Sequence, residues 1–236
     1  MSAGERHVRL EVAGLAAGYR GVPVLRDITL DVRAGERVGV VGRNGAGKTT
    51  LLAALIGIVA PTRGTVRLGG HDIAGRPPYV IAAHGLGYVP QGRRLFPRLT
   101  VDENLRLAAR SKNLPTSGVY DYFPHLADRR HQLAGTLSGG EQQLAAIARA
   151  LAGDPKVLLL DEPAEGLSPV AVEGLRDTLL AISRDRGVGL LLVEQNTTLL
   201  AATVERALLL EKGSVVGELT AEQLGDEQSL RVFLSV

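Results

Sequence analysis

The sequence predicts an α/β fold with a mainly parallel sheet, and three short apolar runs are the basis of that prediction. They are RVGVV at 37–41, KVLLLD at 156–161 and GLLLVE at 189–194. Each run is continuous rather than alternating, which is typical of strands buried on both faces, and each is flanked by helix-like segments. This alternation of strands and helices indicates a sheet that is covered on both sides.

An antiparallel portion is predicted on either side of these runs. The early segments VRLEVAGLAAGY at 8–19 and DITLDVRAGE at 27–36 alternate more strongly and are broken by glycine. Late in the chain, RALLLEKGSVVGEL at 206–219 is typical of a hairpin that turns at Lys212 and Gly213. We therefore expect some strands to run against the parallel ones.

Helix ends are marked by capping residues. Serine or threonine followed three residues later by glutamate forms a capping box, and the chain has this pattern at Thr100–Glu103 and Ser138–Glu141. A further helix is predicted to start at Ser168–Pro169 and to run to about Arg186, where Gly187 ends it.

A helical subdomain is predicted at 92–136. This stretch lacks core-type strands and holds short helical pieces separated by Pro97, Pro115 and Pro124. We expect a single domain over 1–236, in which residues 1–91 and 137–236 form the α/β core with its antiparallel portion. The tail AEQLGDEQSLRVFLSV at 221–236 is expected to form a short helical cap, and no function is assigned to it.

The composition is that of a folded globular protein. Of 236 residues, 45% are hydrophobic and 22% are charged, so extensive disorder is not expected. The net charge is +2 and no Lys/Arg run is interleaved with aromatic residues, so no nucleic-acid partner is predicted. Without cysteine there is neither a disulfide nor a thiolate metal site, which fits a reducing compartment.

The location is predicted to be cytoplasmic. No apolar run approaches the roughly 18 residues that a membrane-spanning helix needs, and the start MSAGERHVRL has no signal-peptide core. A role at a membrane would therefore require a partner.

The sharpest motif is GRNGAGKT at 42–49, which has the phosphate-loop spacing G-x-x-x-x-G-K-[ST]. A predicted strand precedes it and a helix follows, whereas a plain glycine-rich turn would need neither. Backbone N–H groups of such a loop surround a phosphate, Lys48 can reach the β- and γ-phosphates, and the Thr49 hydroxyl can bind Mg²⁺. The predicted nucleotide-binding residues here are Gly42, Arg43, Asn44, Gly45, Ala46, Gly47, Lys48, Thr49 and Thr50.

Two further motifs are weaker when taken alone. In VLLLDEP, the two acids can have different roles, with Asp161 near the metal and Glu162 directed toward an attacking water. LSGGEQQ at 137–143 leaves N–H groups exposed at a helix start, although a capped helix needs no ligand. The chain would then have two possible phosphate sites, the phosphate loop and this helix start. Two such sites are explained if two subunits face each other and each triphosphate is bound by both.

Together these motifs resemble the ATP-binding subunits of ABC transporters, which have a P-loop NTPase core. The likeness covers nearly the whole chain and includes AAGYRG, the phosphate loop, GYVPQG, LSGGE, LLLDEP and VEQN. It implies that Tyr19 stacks on adenine and that Gln91 senses Mg²⁺ and the attacking water while coupling to a membrane partner. A half-exposed strand aromatic and a strand-exit amide are the simpler alternatives for these two residues.

The same resemblance assigns the chemistry of the site. Glu162 would be the catalytic base, and Asp161 would bind Mg²⁺ through a water. The LSGGE motif is the signature of the family, and its residues would contact the γ-phosphate bound to the opposite subunit. These residues are Ser138, Gly139, Gly140 and Glu141.

Within that family, VPQGRRLFPRLTVDENL, LSGGEQQ, DEPAEGLSP and LLVEQN resemble the branched-chain (hydrophobic) amino-acid uptake group of LivF type. Urea and short-chain amide importers are close alternatives. The resemblance implies ATP and Mg²⁺ as cofactors, membrane permease subunits, a second identical or different ATPase subunit and, indirectly, an extracellular solute-binding protein. The chain would then lie on the cytoplasmic face of the membrane.

Three positions depart from the general family pattern. Glu141 replaces the usual glutamine of the signature, and Ser168 stands where aspartate is usual. Gln195 occupies the place of the switch histidine; a glutamine amide can donate a hydrogen bond to a phosphate but cannot accept and return a proton near neutral pH. We expect Gln195 to contact the γ-phosphate without relaying a proton.

Other functional classes fit less well. Non-transport ABC proteins that act on DNA or ribosomes usually have long arms or two fused cassettes, whereas the predicted insert of about 45 residues is too short for an extended arm. A GTPase would need an N-K-x-D motif, which the chain lacks. A lipid or drug exporter subunit stays open because it would share the ATPase chemistry. The leading interpretation is the ATPase of an importer.

Overall fold

The computed structural model describes residues 7–109 and 117–226, and every structural statement below refers to them. The strands in this part are β1 (Val8–Tyr19), β2 (Val22–Arg33), β3 (Arg37–Val41), β4 (Pro61–Leu68), β5 (His71–Asp72), β6 (Leu86–Val89), β7 (Val157–Asp161), β8 (Gly189–Val193), β9 (Arg206–Glu211) and β10 (Ser214–Thr220). The helices are α1 (Lys48–Leu55), α2 (Pro78–His84), α3 (Val101–Ala108), α4 (Ser117–Tyr120), α5 (Pro124–Ala127), α6 (Gly139–Ala152), α7 (Pro169–Arg186), α8 (Thr197–Thr203) and α9 (Ala221–Gly225).

The larger sheet has the strand order β10-β9-β3-β8-β7-β6. Strands β9, β3, β8, β7 and β6 run parallel to one another, and β10 pairs antiparallel with β9 at one edge. The three apolar runs became β3, β7 and β8, and every residue of β7 and β8 is buried. The prediction of a mainly parallel sheet is therefore confirmed.

A separate four-stranded antiparallel sheet has the order β2-β1-β4-β5. It contains both early alternating segments, as predicted. The late hairpin is confirmed as well, because Lys212 and Gly213 have φ angles of 46° and 82°, as a tight turn between β9 and β10 requires. Strand β4 was not singled out in the sequence because only Val66 and Leu68 in it are buried.

Two hydrophobic clusters lie on opposite faces of the larger sheet. Along β8, Leu190 and Leu192 pack into one cluster with α6 and α7, whereas Leu191 and Val193 pack into the other with α1 and the antiparallel sheet. Successive side chains of a strand point to opposite faces, so these continuous apolar runs reflect burial on both sides.

The predicted helix ends agree with the structure. Both capping boxes form, at the starts of α3 and α6. Helix α7 begins after Ser168 and ends at Gly187, whose φ angle is 63°. In the tail, α9 forms after a third capping box, and residues 227–236 lie outside the described residues.

The predicted insert holds α3, α4 and α5, and α3 and α4 pack against α6. Pro115 lies outside the described residues, and the limits of the subdomain stay a prediction. Among the described residues, no helix combines the length and the apolar character needed to cross a bilayer.

Candidate active site

Three neighbouring strand ends bring the predicted chemistry together. Strand β8 pairs with β3 on one side and with β7 on the other, all in parallel, so Val40 and Asp161 both lie beside Val193. Their carboxyl ends therefore share one edge of the sheet, the usual position of ligand sites in α/β folds. From this edge emerge the phosphate loop, the Asp161–Glu162 pair and the segment that contains Gln195.

An open cleft of about 610 Å³ lies at this edge. All of its lining residues except Val24 and Glu165 were predicted as site residues from the sequence. A third acid in the same loop was a signal for Glu165, but Val24 had none. The cleft is lined by Val24, Asn44, Gly45, Gly47, Lys48, Thr49, Thr50, Gln91, Glu162, Glu165 and Gln195.

The phosphate loop is held tightly at its first glycine. A Cβ atom on Gly42 would collide with the Leu210 carbonyl oxygen of β9, so only glycine fits there. The loop ends at Gly47, whose φ angle is 108°, and the first turn of α1 follows with its N–H groups unpaired by side chains. This is a backbone arrangement suited to an anion.

Lys48 supplies a buried positive charge inside this loop. Its side chain donates hydrogen bonds to the carbonyl oxygens of Gly42, at 2.7 Å, and of Arg43, at 3.3 Å. Among the described residues its ammonium forms no ion pair with a carboxylate. Within these residues its hydrogen bonds go only to carbonyl oxygens, although its charge also opposes the effect of burial, which raises the pKa of Asp161. A buried ammonium without a contacting carboxylate favours an incoming anion.

Glu162 is held between two glutamine amides. Gln195 Nε2 donates to Glu162 Oε1 at 2.6 Å, and Gln91 Nε2 lies 3.5 Å from Glu162 Oε2 and 2.9 Å from Glu165 Oε2. The backbone at Glu162 has a φ angle of 47°, a conformation that residues other than glycine rarely adopt. Such a backbone persists only where surrounding contacts impose it, and it turns the carboxylate into the cleft.

Asp161 is almost entirely buried, with 2% of its surface exposed. Tyr88 donates a hydrogen bond to Asp161 Oδ2 at 3.3 Å. Burial raises the pKa of Asp161 above its ordinary value, and the charge of Glu162 adds to this. Burial likewise raises the pKa of Tyr88, to about 12, with a further contribution from Asp161. Since Asp161 receives no other side-chain hydrogen bond among the described residues, its carboxylate has free capacity for a cation.

The remaining predicted residues lie outside the cleft lining. Tyr19 ends β1 and its side chain is 50% exposed. Ser138, Gly139, Gly140 and Glu141 form the start of α6. Neither Tyr19 nor the start of α6 therefore contributes to the lining of this cleft.

Glu141 is already engaged within its own chain. Its Oε2 accepts a hydrogen bond from the Ser138 backbone N–H at 2.8 Å, and its Oε1 pairs with Arg129 at 3.0 Å. The hydrogen bonds with Ser138, and then the charge of Arg129, lower the pKa of Glu141. A carboxylate repels a phosphate, so any contact of Glu141 with a phosphate has to be made by its backbone.

Replacing Glu141 with glutamine, which restores the usual signature residue, should test the charge of this side chain. The amide oxygen can still accept from Ser138, but the ion pair with Arg129 is lost, so we expect a loss of unfolding free energy below about 1 kcal/mol at neutral pH. Because the pKa of Glu141 is lower in the folded state, its carboxylate stabilises the fold at pH values above its ordinary pKa of 4.5. This stabilisation is lost as the pH falls through the pKa of the folded state. Denaturant unfolding between pH 3 and 7 measures this; a difference that does not shrink in acid would contradict it.

Comparison with known proteins decides the family. A family model described as ABC transporter matches residues 25–165, more than half of the chain. The chain belongs to the ABC transporter family. The matched segment includes the phosphate loop, Gln91, the start of α6 and the Asp161–Glu162 pair.

Named relatives of this ABC ATPase include both amino-acid transport proteins and an export protein. It is 40% identical to the high-affinity branched-chain amino acid transport ATP-binding protein BraG of Pseudomonas aeruginosa, over 84% of this chain and 87% of the relative. It is 38% identical to the probable branched-chain amino acid transport ATP-binding protein LivF of Archaeoglobus fulgidus, over 91% and 93%. It is also 36% identical to the lipopolysaccharide export system ATP-binding protein LptB of Escherichia coli, over 95% and 96%.

Solved structures confirm the fold. An ATP-binding subunit of an ABC transporter is 30% identical and superposes with a TM-score of 0.78 over 90% of both chains. The ADP conformation of another ATP-binding cassette, 21% identical, superposes with a TM-score of 0.84 over 96% of this chain and 98% of that chain. This chain is accordingly an ATP-binding subunit that hydrolyses ATP, and ATPase subunits of the family dimerise and work with membrane permeases.

Proposed function

We propose that this ABC ATPase drives the uptake of branched-chain amino acids, hydrolysing ATP in a head-to-tail dimer on the cytoplasmic face of the membrane. The observation that carries the solute is the identity of 40% with BraG and 38% with LivF, both named as branched-chain amino acid transport proteins. The VEQN and LSGGEQQ segments, which resemble the same uptake group, support the assignment.

ATP binds with its phosphates in the loop from Gly42 to Thr50. The Lys48 ammonium exchanges its carbonyl partners for the β- and γ-phosphates, which are stronger acceptors because they are charged. Tyr19 stacks on the adenine, a role that its exposed ring and its place at the end of β1 permit. The side chain of Val24, on the adjoining strand, contributes an apolar wall to the cleft.

Mg²⁺ fits the residues at the base of the cleft. Thr49 and Gln91 line it and would hold the ion, and the buried Asp161 carboxylate, which accepts a side-chain hydrogen bond from Tyr88, would hold it through a water. When bound, Mg²⁺ neutralises charge on the phosphates. Magnesium is usually held by one or two protein groups together with substrate phosphates, so a larger protein cage is unnecessary.

Hydrolysis is in-line attack by a water that Glu162 activates. The carboxylate accepts the proton of the water as the new bond to the γ-phosphorus forms and the bond to ADP breaks. Gln195 contacts the γ-phosphate and orients Glu162 through its 2.6 Å hydrogen bond. Because an amide cannot accept and return a proton, Gln195 maintains geometry only.

A second subunit completes the site. The start of α6, from Ser138 to Glu141, faces the γ-phosphate bound to the opposite subunit, with Ser138 and the two glycines making the contact. Each triphosphate is then held between two chains, so ATP binding closes the dimer. An identical or a homologous second ATPase subunit satisfies this arrangement.

The remaining partners are membrane permease subunits and, through them, an extracellular solute-binding protein. No nucleic acid takes part. Gln91 lies where the cleft meets the helical segment and couples hydrolysis to the permease.

Reconstitution with the permease subunits tests the proposal. We expect this ATPase to sediment with membranes only when the permease is co-expressed, and its ATP hydrolysis to rise when a solute-binding protein loaded with leucine, isoleucine or valine is added. Glu162→Gln is the matched inactive control. Stimulation by urea- or amide-loaded protein instead would assign the alternative importer class, and stimulation by lipopolysaccharide alone would assign an exporter like LptB.

A further inference from the structure

Glu194 is a buried carboxylate that the proposed chemistry does not use. It directly follows β8, and only 3% of its surface is exposed. Its Oε1 accepts a hydrogen bond from the Ala164 N–H at 2.8 Å, and its Oε2 accepts from the N–H groups of Gln195, at 3.1 Å, and Asn196, at 3.2 Å. From sequence alone it is an ordinary residue at a strand exit.

These hydrogen bonds join the two segments on either side of the catalytic base. Ala164 lies two residues after Glu162, in the loop that follows β7, and Gln195 donates its side-chain amide to Glu162 itself. The backbone N–H of Glu162 also bonds to the Val193 carbonyl, at 2.8 Å, at the end of β8. Glu194 therefore connects the loop after Glu162 to the backbone of Gln195, and the Gln195 side chain in turn contacts Glu162. These contacts form a closed ring.

Burying a carboxylate is unfavourable, and no cation among residues 7–109 and 117–226 forms an ion pair with Glu194 to offset the cost. Burial raises the pKa of Glu194, against the opposing effect of its three backbone hydrogen bonds, and the charge of Glu162 raises it further. A hydrophobic residue would avoid this cost of desolvation. Local choices that lower stability concentrate at functional sites, so the position of this acid beside Glu162 points to a functional reason.

We propose that Glu194 is a positioning residue for ATP hydrolysis: it fixes the backbone of Gln195 and of the loop after Glu162, so that the Gln195 amide is aligned with the Glu162 carboxylate. This inference rests on the proposed roles of Glu162 and Gln195. Glu194 takes no proton in the reaction, because both its oxygens are occupied by backbone donors.

Only a carboxylate suits this position. Three N–H donors converge on its two oxygens, and an ionised carboxylate accepts at both. Glutamine has the same shape, but its NH₂ group would face N–H donors on one side. At least one of the two segments, the loop with Ala164 or the segment with Gln195, would then lose its hydrogen bond. Aspartate keeps the charge but is shorter by one methylene, so it cannot reach both segments at once.

A double-mutant cycle on the ATPase tests the proposal. We expect Glu194→Gln and Gln195→Ala each to lower kcat on the order of 10- to 100-fold, because small misplacements of catalytic groups have effects of this size. Nucleotide Kd, measured with a fluorescent ATP analogue, should change far less than kcat. The double variant should be no slower than the slower single variant, since Glu194 acts through Gln195.

The outcomes separate this inference from the proposed function. If Glu194→Gln leaves kcat unchanged, or if the two effects multiply in the double variant, the positioning role is wrong while the role of Gln195 stands. If Gln195→Ala leaves kcat unchanged but Glu162→Gln abolishes turnover, the proposed role of Gln195 fails first and the positioning role fails with it.

Glu36→Gln is the matched control. Glu36 is also a buried glutamate, 8% exposed, which accepts from the Arg33 N–H and pairs with Arg206, each at 2.8 Å. It lies at the opposite end of β8, where its carbonyl accepts from Leu190. This variant should lose stability but keep kcat per folded molecule, and its effect should not depend on Gln195.

Glu194→Asp covers the case in which Glu194→Gln does not fold. It retains the buried charge, so we expect it to fold and still to lower kcat, again without multiplying the effect of Gln195→Ala. Unchanged turnover in Glu194→Asp, at normal nucleotide binding, would overturn the positioning role.

Discussion

Replacing Glu162 with glutamine should lower the rate of ATP hydrolysis by on the order of 10² or more while ATP still binds. Glutamine keeps the size of the side chain and an oxygen that can accept from the Gln195 amide, which lies 2.6 Å from Glu162 Oε1. It cannot take a proton from water near neutral pH, so only the step that needs a base is lost. Steady-state hydrolysis and nucleotide binding by the purified assembly measure the two effects separately.

Glu165 is the alternative base against which this result has to be judged. It lines the same cleft and accepts from Gln91 Nε2 at 2.9 Å, so its carboxylate also faces the site of hydrolysis. Near-normal turnover in Glu162→Gln together with loss of turnover in Glu165→Gln would transfer the role to Glu165. Glu222→Gln, an exposed change on α9, removes the same charge and should leave turnover unaltered.

Replacing Lys48 with glutamine should weaken ATP binding on the order of 10²-fold. The variant loses the buried ammonium that faces the cleft, and removing one member of a buried charged pair costs about 2–5 kcal/mol. The variant also loses the lysine hydrogen bonds to the carbonyls of Gly42 and Arg43. The hydrogen bond from Gly213 N–H to Ala46 O, at 2.9 Å, does not involve the lysine and still holds the loop. Titration with a fluorescent ATP analogue gives the change in Kd.

Lys212→Gln is the charge-matched control for this experiment. Its side chain is 89% exposed and, within the part of the chain that the structure describes, forms an ion pair only with the neighbouring Glu211, at 3.2 Å. Removing it changes the net charge equally but should leave Kd within error. Equal weakening in both variants would mean that overall charge, and not the buried position of Lys48, governs nucleotide binding.

Much of this fold could be predicted because its signals are local. Strands β3, β7 and β8 are continuous apolar runs, the two partners of each capping box are only three positions apart, and the phosphate loop is recognised from contiguous residues. Strand β4 has few buried residues, so its place in the antiparallel sheet depends on pairing with β1, which no local pattern reports.

The candidate site, like the fold, was predictable from sequence only where its signals are local. The phosphate-loop spacing predicts Lys48, the acidic pair at a strand end predicts Glu162, and the resemblance to ABC ATP-binding subunits predicts Gln195. Sequence could not show that Gln195 donates to Glu162, 33 residues away in the chain, or that the Glu141 carboxylate is occupied by Arg129. Both facts depend on how separate elements pack.

By itself, the sequence determined the α/β class, the phosphate loop and the two acids that end and follow β7, since these depend on residues close together in the chain. Only the tertiary structure decided that Glu194 joins the loop after Glu162 to the Gln195 segment. In sequence Glu194 is a polar residue at the end of a strand. Its hydrogen bond to Ala164 exists only because β7 and β8 are neighbours in the sheet, and such long-range adjacency is a property of the folded chain.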